Sequence, residues 1–186
     1  MIDRREFLAG AAALGFATQA GAATKAPFVP DPKWMPQEVR VKKVFAAGQI
    51  LVVPATHFLY YITEPGKAIR YGVAVGRAGL EFQGTAVIGA KKEWPTWKPT
   101  AEMVQRSPEH YGRWKDVAMP GGPTNPLGAR ALYLFQNGAD TFFRIHGTIE
   151  PQSIGSSVSN GCIRMINEHV IDLYQRVELG TVVTVI

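Results

Sequence analysis

The chain predicts a mainly β domain with one helix near the C-terminus and one long loop, on three features. Short runs of β-branched and aromatic residues recur between turn residues over 39–75 and again over 131–145. One apolar pattern at helical spacing, Ile166, Val170, Leu173, Tyr174 and Val177, stands near the end. Between the strand-rich blocks, residues 76–130 are rich in Gly and Pro and weakly periodic.

Residues 1–23 are a separate object. Arg4 and Arg5 precede an Ala-rich apolar stretch through Leu14 and Phe16, and Ala20-Gly21-Ala22 offers a small-residue cleavage site. That is the anatomy of an export signal. The Arg4-Arg5 pair ahead of Phe7-Leu8 resembles a twin-arginine signal, which exports proteins already folded. The apolar run is too short and too rich in Gly and Ala for a membrane span, so no integral membrane segment is expected once the signal is removed. Residues 24–38 hold four prolines and read as an extended lead-in to one domain, 39–186.

Within that domain the strands are Gln49–Val53, His57–Ile62 and Ala68–Val75, with a hairpin turn at Glu64-Pro-Gly-Lys67. Thr100–Arg106 makes a short helix, and 119–130, interrupted throughout by Pro and Gly, makes a loop. A loop of this length in a compact domain reads as a lid or binding loop, and Trp94, Trp97 and Trp114 either serve it or pack it down. Strands resume at Ala131–Phe135 and Thr141–Ile145 across the tight-turn pair Asn137-Gly138. The helix follows, with Asn167 as N-cap and Gly180 as terminator, and then a last strand, 181–185.

Hydrophobic residues make up 46% of the chain and charged ones 19%, ordinary for a soluble domain with a real core. The net charge is +5, and Arg4 and Arg5 are balanced by Asp3 and Glu6, so loss of the signal leaves it unchanged. A basic exported chain suits anionic surroundings such as wall polymers. Without a dense Lys/Arg stripe it does not point to nucleic acid. The sequence has no HExxH, CxxC, Walker A or GxGxxG motif, so it names no metal and no cofactor.

What remains is one cysteine and four histidines. Cys162 cannot form an intrachain disulfide, and a lone thiol in an exported chain is a candidate reactive group. At its ordinary pKa a thiol is only a few per cent thiolate at neutral pH, so a nucleophile wants a base beside it. His146, closing a strand ahead of Gly147-Thr148, is the best placed. His57 opens a strand, His110 lies in the irregular segment, and His169 falls in the first turn of the helix, where solvent is expected.

His146-Gly147-Thr148 and, with twelve residues between His146 and Ser159, the run Ser159-Asn160-Gly161-Cys162-Ile163-Arg164 resemble the signature of the L,D-transpeptidase catalytic domain of YkuD type. The likeness extends through 92–97, 119–132 and 167–183, over roughly residues 38–186. It implies an L,D-transpeptidase-type β-sandwich with a long active-site loop. It also implies an activity: cleavage of the L,D bond of a peptidoglycan tetrapeptide stem, release of D-Ala, and transfer of the acyl group to an amine. That amine would belong to another stem peptide or to an envelope protein, outside the cytoplasm.

By the resemblance, Cys162 is the nucleophile, His146 the general acid/base, the Gly147 carbonyl the group that orients His146, and the Gly161 N–H an oxyanion donor. Exchange of one amide for another needs neither ATP nor metal. Ser159, Asn160, Arg164, Trp94 and Trp97 are the candidate substrate-binding residues. Arg164 favours thiolate, holds a carboxylate or makes a structural ion pair, and Ser159 faces the site or satisfies its own turn. The departure from the pattern is Asn160, where the family often has a second histidine. Two other readings use the same residues: an L,D-carboxypeptidase, with water as acceptor, and a non-catalytic wall-binding module with an inert thiol.

Overall fold

Asn137 and Gly138 both take positive φ, 53° and 78°, and close a two-residue hairpin of a computed structural model that describes residues 28–186. The expected export segment lies outside the described residues. The elements in order are β1 (Gln37–Arg40), β2 (Ile50–Val53), β3 (Phe58–Glu64), β4 (Lys67–Gly72), β5 (Val75–Gly76), β6 (Gly84–Glu93), α1 (Ala101–Arg106), α2 (Pro108–Tyr111), β7 (Arg130–Gln136), β8 (Ala139–His146), β9 (Ser157–Ser159), β10 (Ile163–Arg164), α3 (Asn167–Arg176) and β11 (Val182–Val185).

One large sheet runs β1-β4-β3-β2-β11-β6-β7-β8-β10, and a small one pairs β5 with β9. The large sheet is antiparallel except where β11 meets β2 and β10 meets β8. Its strands alternate as a half-buried sheet should. Ile50 and Val52, Ala86 and Ile88, Leu132 and Leu134, and Val183 and Val185 all turn inward to one core. Val170 and Leu173 of α3, with Val177 just past its end, close that core, so the apolar stripe read from the sequence is the face that packs. Leu51, Ile62 and Ala68 form a second cluster with Val39, Val41, Phe45 and Tyr60. The fold is therefore mainly β and sandwich-like, as expected.

Several elements differ from the expectation. Residues 84–93 are a strand pairing with β7 and β11, not part of an irregular stretch. Its alternation is confined to Thr85–Ile88 between two glycines, too short a signal to stand out from the Gly-rich surroundings. The lead-in carries structure: β1 begins at Gln37, and a 3-10 turn over Pro32–Trp34 is capped by Asp31. The N-cap of α3 is Ile166, with no side-chain cap, because Asn167 is engaged elsewhere. The helix ends at Arg176, and Gly180, at φ 85°, serves the turn into β11. His169 is not solvated; it is buried against Tyr71, with ring centroids 6.3 Å apart.

A bulge in β8 shapes the next level. Tyr133 pairs with Arg144 but Phe135 with Asp140, so two residues of advance on β7 are matched by four on β8. The extra residues turn at Phe142, whose φ of 63° is rare for an aromatic residue and whose ring is 77% exposed. Asp140 Oδ1 supports the bulge by accepting from the Phe142 N–H at 2.8 Å.

Candidate active site

β10 runs parallel to β8, with Ile163 opposite Ile145 and Arg164 opposite His146. Paired residues share a face, and neighbours along a strand alternate. Ile145 and Ile163 enter the core. Arg144, His146 and Arg164 consequently take the opposite face, and Cys162 stands one residue before β10, where the charges of Arg144 and Arg164 act on both its thiol and the His146 ring.

His146 is buried, and its Nδ1 lies 2.6 Å from the Gly147 carbonyl. A carbonyl only accepts, so Nδ1 carries the proton and Nε2 is left as the basic nitrogen. Burial drives the pKa of His146 down to about 4, against an upward pull from the Gly147 carbonyl, and the Arg164 and Arg144 charges push the same way as burial. The imidazole is neutral at working pH.

Cys162 is partly exposed, yet burial around Sγ raises its pKa above the ordinary thiol value. The Arg144 N–H and the Arg144 and Arg164 charges oppose that rise without overcoming it. Sγ reaches the Phe142 carbonyl at 3.9 Å, so the bulge forms one wall beside the thiol. The two groups rest as a thiol and a neutral imidazole.

The turn before Cys162 is built by Ser159. Its hydroxyl donates to the Cys162 carbonyl at 2.5 Å and accepts from the Gly161 N–H at 3.1 Å. Ser159 is 2% exposed, so its hydroxyl holds the turn. Gly161 has a φ of 118°, and a Cβ there would press into the Leu80 carbonyl and the Phe143 ring. Only glycine fits. With the Gly161 N–H turned to Ser159, the Cys162 N–H is the one without a partner among the described residues.

Arg164 pairs with Glu150 at 2.8 Å, tying β10 to the loop that leaves His146. Asn160 accepts from Arg106 at 2.7 Å. Trp97 packs its ring on Tyr111, centroids 5.8 Å apart, and exchanges backbone bonds with Met119. Trp94 is 46% exposed at a φ of 42°, and its N–H donates to Ala129. The two tryptophans thus divide the alternatives: Trp97 pins the loop down, and Trp94 presents an exposed ring.

Two contributors escaped the sequence reading. Asn167 accepts from the Ala129 and Thr148 N–H groups at 3.0 and 3.2 Å and donates to the Thr148 carbonyl at 3.1 Å. It clamps the loop after His146 to the loop before β7, and Gly128 and Gly147 leave the room it needs. Arg144 pairs with Asp140 at 2.6 Å and lies over the Tyr133 ring at 4.0 Å, carrying its charge beside the thiol. Its position on the His146 face was open to inspection; that the bulge leaves it beside Cys162 was not.

Replacing Asn167 by Ala should cost about 1–3 kcal/mol, the penalty of stranding partly buried backbone groups. Denaturant unfolding measures that cost. A fall in kcat/KM larger than the stability loss explains, at temperatures where the variant is fully folded, would show the clamp also positions His146.

Comparison with known proteins points to one family. Residues 47–185 match the L,D-transpeptidase catalytic domain (YkuD). YbiS of Escherichia coli K12, named a probable L,D-transpeptidase, is 30% identical over 149 residues, covering 79% of this chain and 47% of YbiS. The chain spans about half the length of that curated relative. A crystal structure from Brucella melitensis, described as a probable carnitine operon oxidoreductase, is 58% identical with a TM-score of 0.58, covering 81% of this chain and 92% of that one. An Enterococcus faecium L,D-transpeptidase mutant has a TM-score of 0.56 at 17% identity, covering 77% of this chain and 51% of that one, and speaks to the fold alone.

Proposed function

We propose a peptidoglycan L,D-transpeptidase activity for this chain, which belongs to the L,D-transpeptidase catalytic-domain family. The observation that carries the reading is that the parallel pairing of β8 and β10 brings the only cysteine, one residue before β10, into the neighbourhood of a buried imidazole whose Nδ1 is held by the Gly147 carbonyl.

In that reading Cys162 Sγ attacks the carbonyl of the L,D bond in a tetrapeptide stem as its proton passes to His146 Nε2. The Cys162 N–H is the donor offered to the developing oxyanion, while the Gly161 N–H stays with the Ser159 hydroxyl that holds the turn. His146 protonates the departing D-Ala amine, leaving a tripeptidyl thioester on Cys162. An incoming amine gives up its proton to His146, attacks the thioester carbonyl and restores the thiol. The Gly147 carbonyl holds the imidazole at the right tautomer throughout. Trp94 is the exposed aromatic surface offered to the substrate. The Brucella protein's description as an oxidoreductase suggests a different reading. We infer acyl transfer because a thiol with its own base supplies acyl chemistry directly.

The acceptor is an amine of a second stem peptide, giving a 3→3 cross-link, or of an envelope protein, and export by a twin-arginine signal in 1–23 places the reaction in the cell envelope. No helix among the described residues is long and apolar enough to cross a membrane. Purified protein given a disaccharide-tetrapeptide should release D-Ala and form dimers. Tripeptide without dimers would replace transfer by hydrolysis, and unchanged substrate would defeat both.

A further inference from the structure

Asn160 stands where the family often has a second histidine, and its neutral amide holds a cation. Its Oδ1 accepts from the Arg106 guanidinium at 2.7 Å, so the last residue of α1 reaches the turn that carries Cys162. The other arginines on the site face are neutralised, Arg144 by Asp140 and Arg164 by Glu150. Arg106 has no carboxylate partner among the described residues. Glu102, one turn back on α1, hydrogen-bonds with Thr100 and feels Arg106 only through its charge. Arg77, whose backbone N–H donates to the Ser159 carbonyl, is also without a carboxylate, but no side-chain contact fixes it.

Arg106 is therefore the one guanidinium at this turn that is both oriented and uncompensated. Its remaining N–H groups are free to meet a carboxylate as a planar fork. Asn160 suits the task of orienting it. An amide oxygen accepts at every pH, whereas an imidazole at this position becomes cationic below about pH 6.5 and would repel the guanidinium.

Resting on the acyl-transfer reading, we propose that Arg106 is a specificity-determining residue that binds a carboxylate of the acyl donor, with Asn160 as its positioning residue. A tetrapeptide stem offers two such groups: the C-terminal carboxylate of D-Ala, and the side-chain carboxylate of the diamino acid. Both present the same chemistry to the fork.

The test measures kcat/KM for acylation with three synthetic tetrapeptide donors: unmodified, amidated at the C-terminus, and amidated at the side-chain carboxylate. Wild type should favour the unmodified donor over one of the amides by roughly tenfold to a hundredfold, the scale of a charge-assisted hydrogen bond. Arg106→Gln should erase that preference by slowing only donors that keep the recognised carboxylate, and the amide affected identifies which one it is. Arg106→Lys should restore part of the preference, having the charge without the fork, and Asn160→Ala should weaken it. Arg113→Gln removes a cation stacked on Trp114, ring centroid 5.0 Å away, and should leave the preference intact.

Equal slowing of all three donors by Arg106→Gln would overturn the proposal and make Arg106 a support for the loop. A wild type indifferent to both amides would overturn it too. In either case wild-type acylation persists and the proposed reaction stands. Failure to acylate with any donor would remove both.

Discussion

Replacing Cys162 by Ala is expected to abolish acyl-enzyme formation and lower turnover by roughly 10⁴-fold or more, the scale on which loss of a covalent nucleophile is felt. The fold should survive. Cys162 is partly exposed, and its side chain makes only weak bonds, to the Phe142 carbonyl at 3.9 Å and with the Arg144 N–H. Its removal should therefore change unfolding free energy by less than about 1 kcal/mol. Cys162→Ser should behave similarly, because the hydroxyl fits the site but gives up its proton far less readily than a thiol. An inert structural thiol predicts the reverse: unchanged activity with a measurable loss of stability.

Replacing His146 by Ala should lower kcat/KM for acylation by roughly 10²–10⁴-fold, the usual range for a general base. The size follows from the resting protonation state. Burial holds the Cys162 thiol above its ordinary pKa, so almost no thiolate exists at neutral pH without a base. His146 does not store the proton beforehand, because its own pKa is driven to about 4. The acid limb of kcat/KM for wild type should accordingly fall near pH 4, and a limb near 6.5 would contradict a buried neutral base.

Stability should carry the same signature. The unfolded chain takes up the His146 proton at about pH 6.5 and the folded chain only at about 4. Between those values the unfolded state binds more protons, so stability falls as pH drops through the window, by an amount on the order of 3 kcal/mol. Above pH 6.5 His146 contributes no slope. His146→Gln should flatten the denaturation profile across that window.

The chemistry was more legible in the sequence than the geometry that serves it. The lone Cys162, its Gly161 and the His146-Gly147-Thr148 run are local in the chain, and each is set by a requirement that only a few residue types meet. The strands 50–53, 58–64 and 130–146 were legible because β-branched alternation and turn residues coincide there. Strand β6 was not, since two glycines break its pattern and its place depends on pairing with β7 and β11.

Asn167 shows the other limit. Its type and position suit an N-cap. The close approach of Gly128 and Gly147 offered its amide three backbone partners instead, and tertiary contact outweighed local preference. His169 likewise was read from its place on the helix, while its burial was decided by Tyr71 on strand β4. Ser159 and Arg164 each carried two readings, and only the fold could show that one holds a turn and the other ties β10 to Glu150.

The central claim is that Cys162 carries the acyl group. Intact mass after incubation with tetrapeptide, followed by peptide mapping, tests it most directly. Wild type should gain the mass of a tripeptidyl acyl group on the peptide containing Cys162, with one D-Ala released per adduct, and Cys162→Ala should gain nothing. D-Ala release without any adduct at Cys162, or an adduct that persists in Cys162→Ala, would contradict the account.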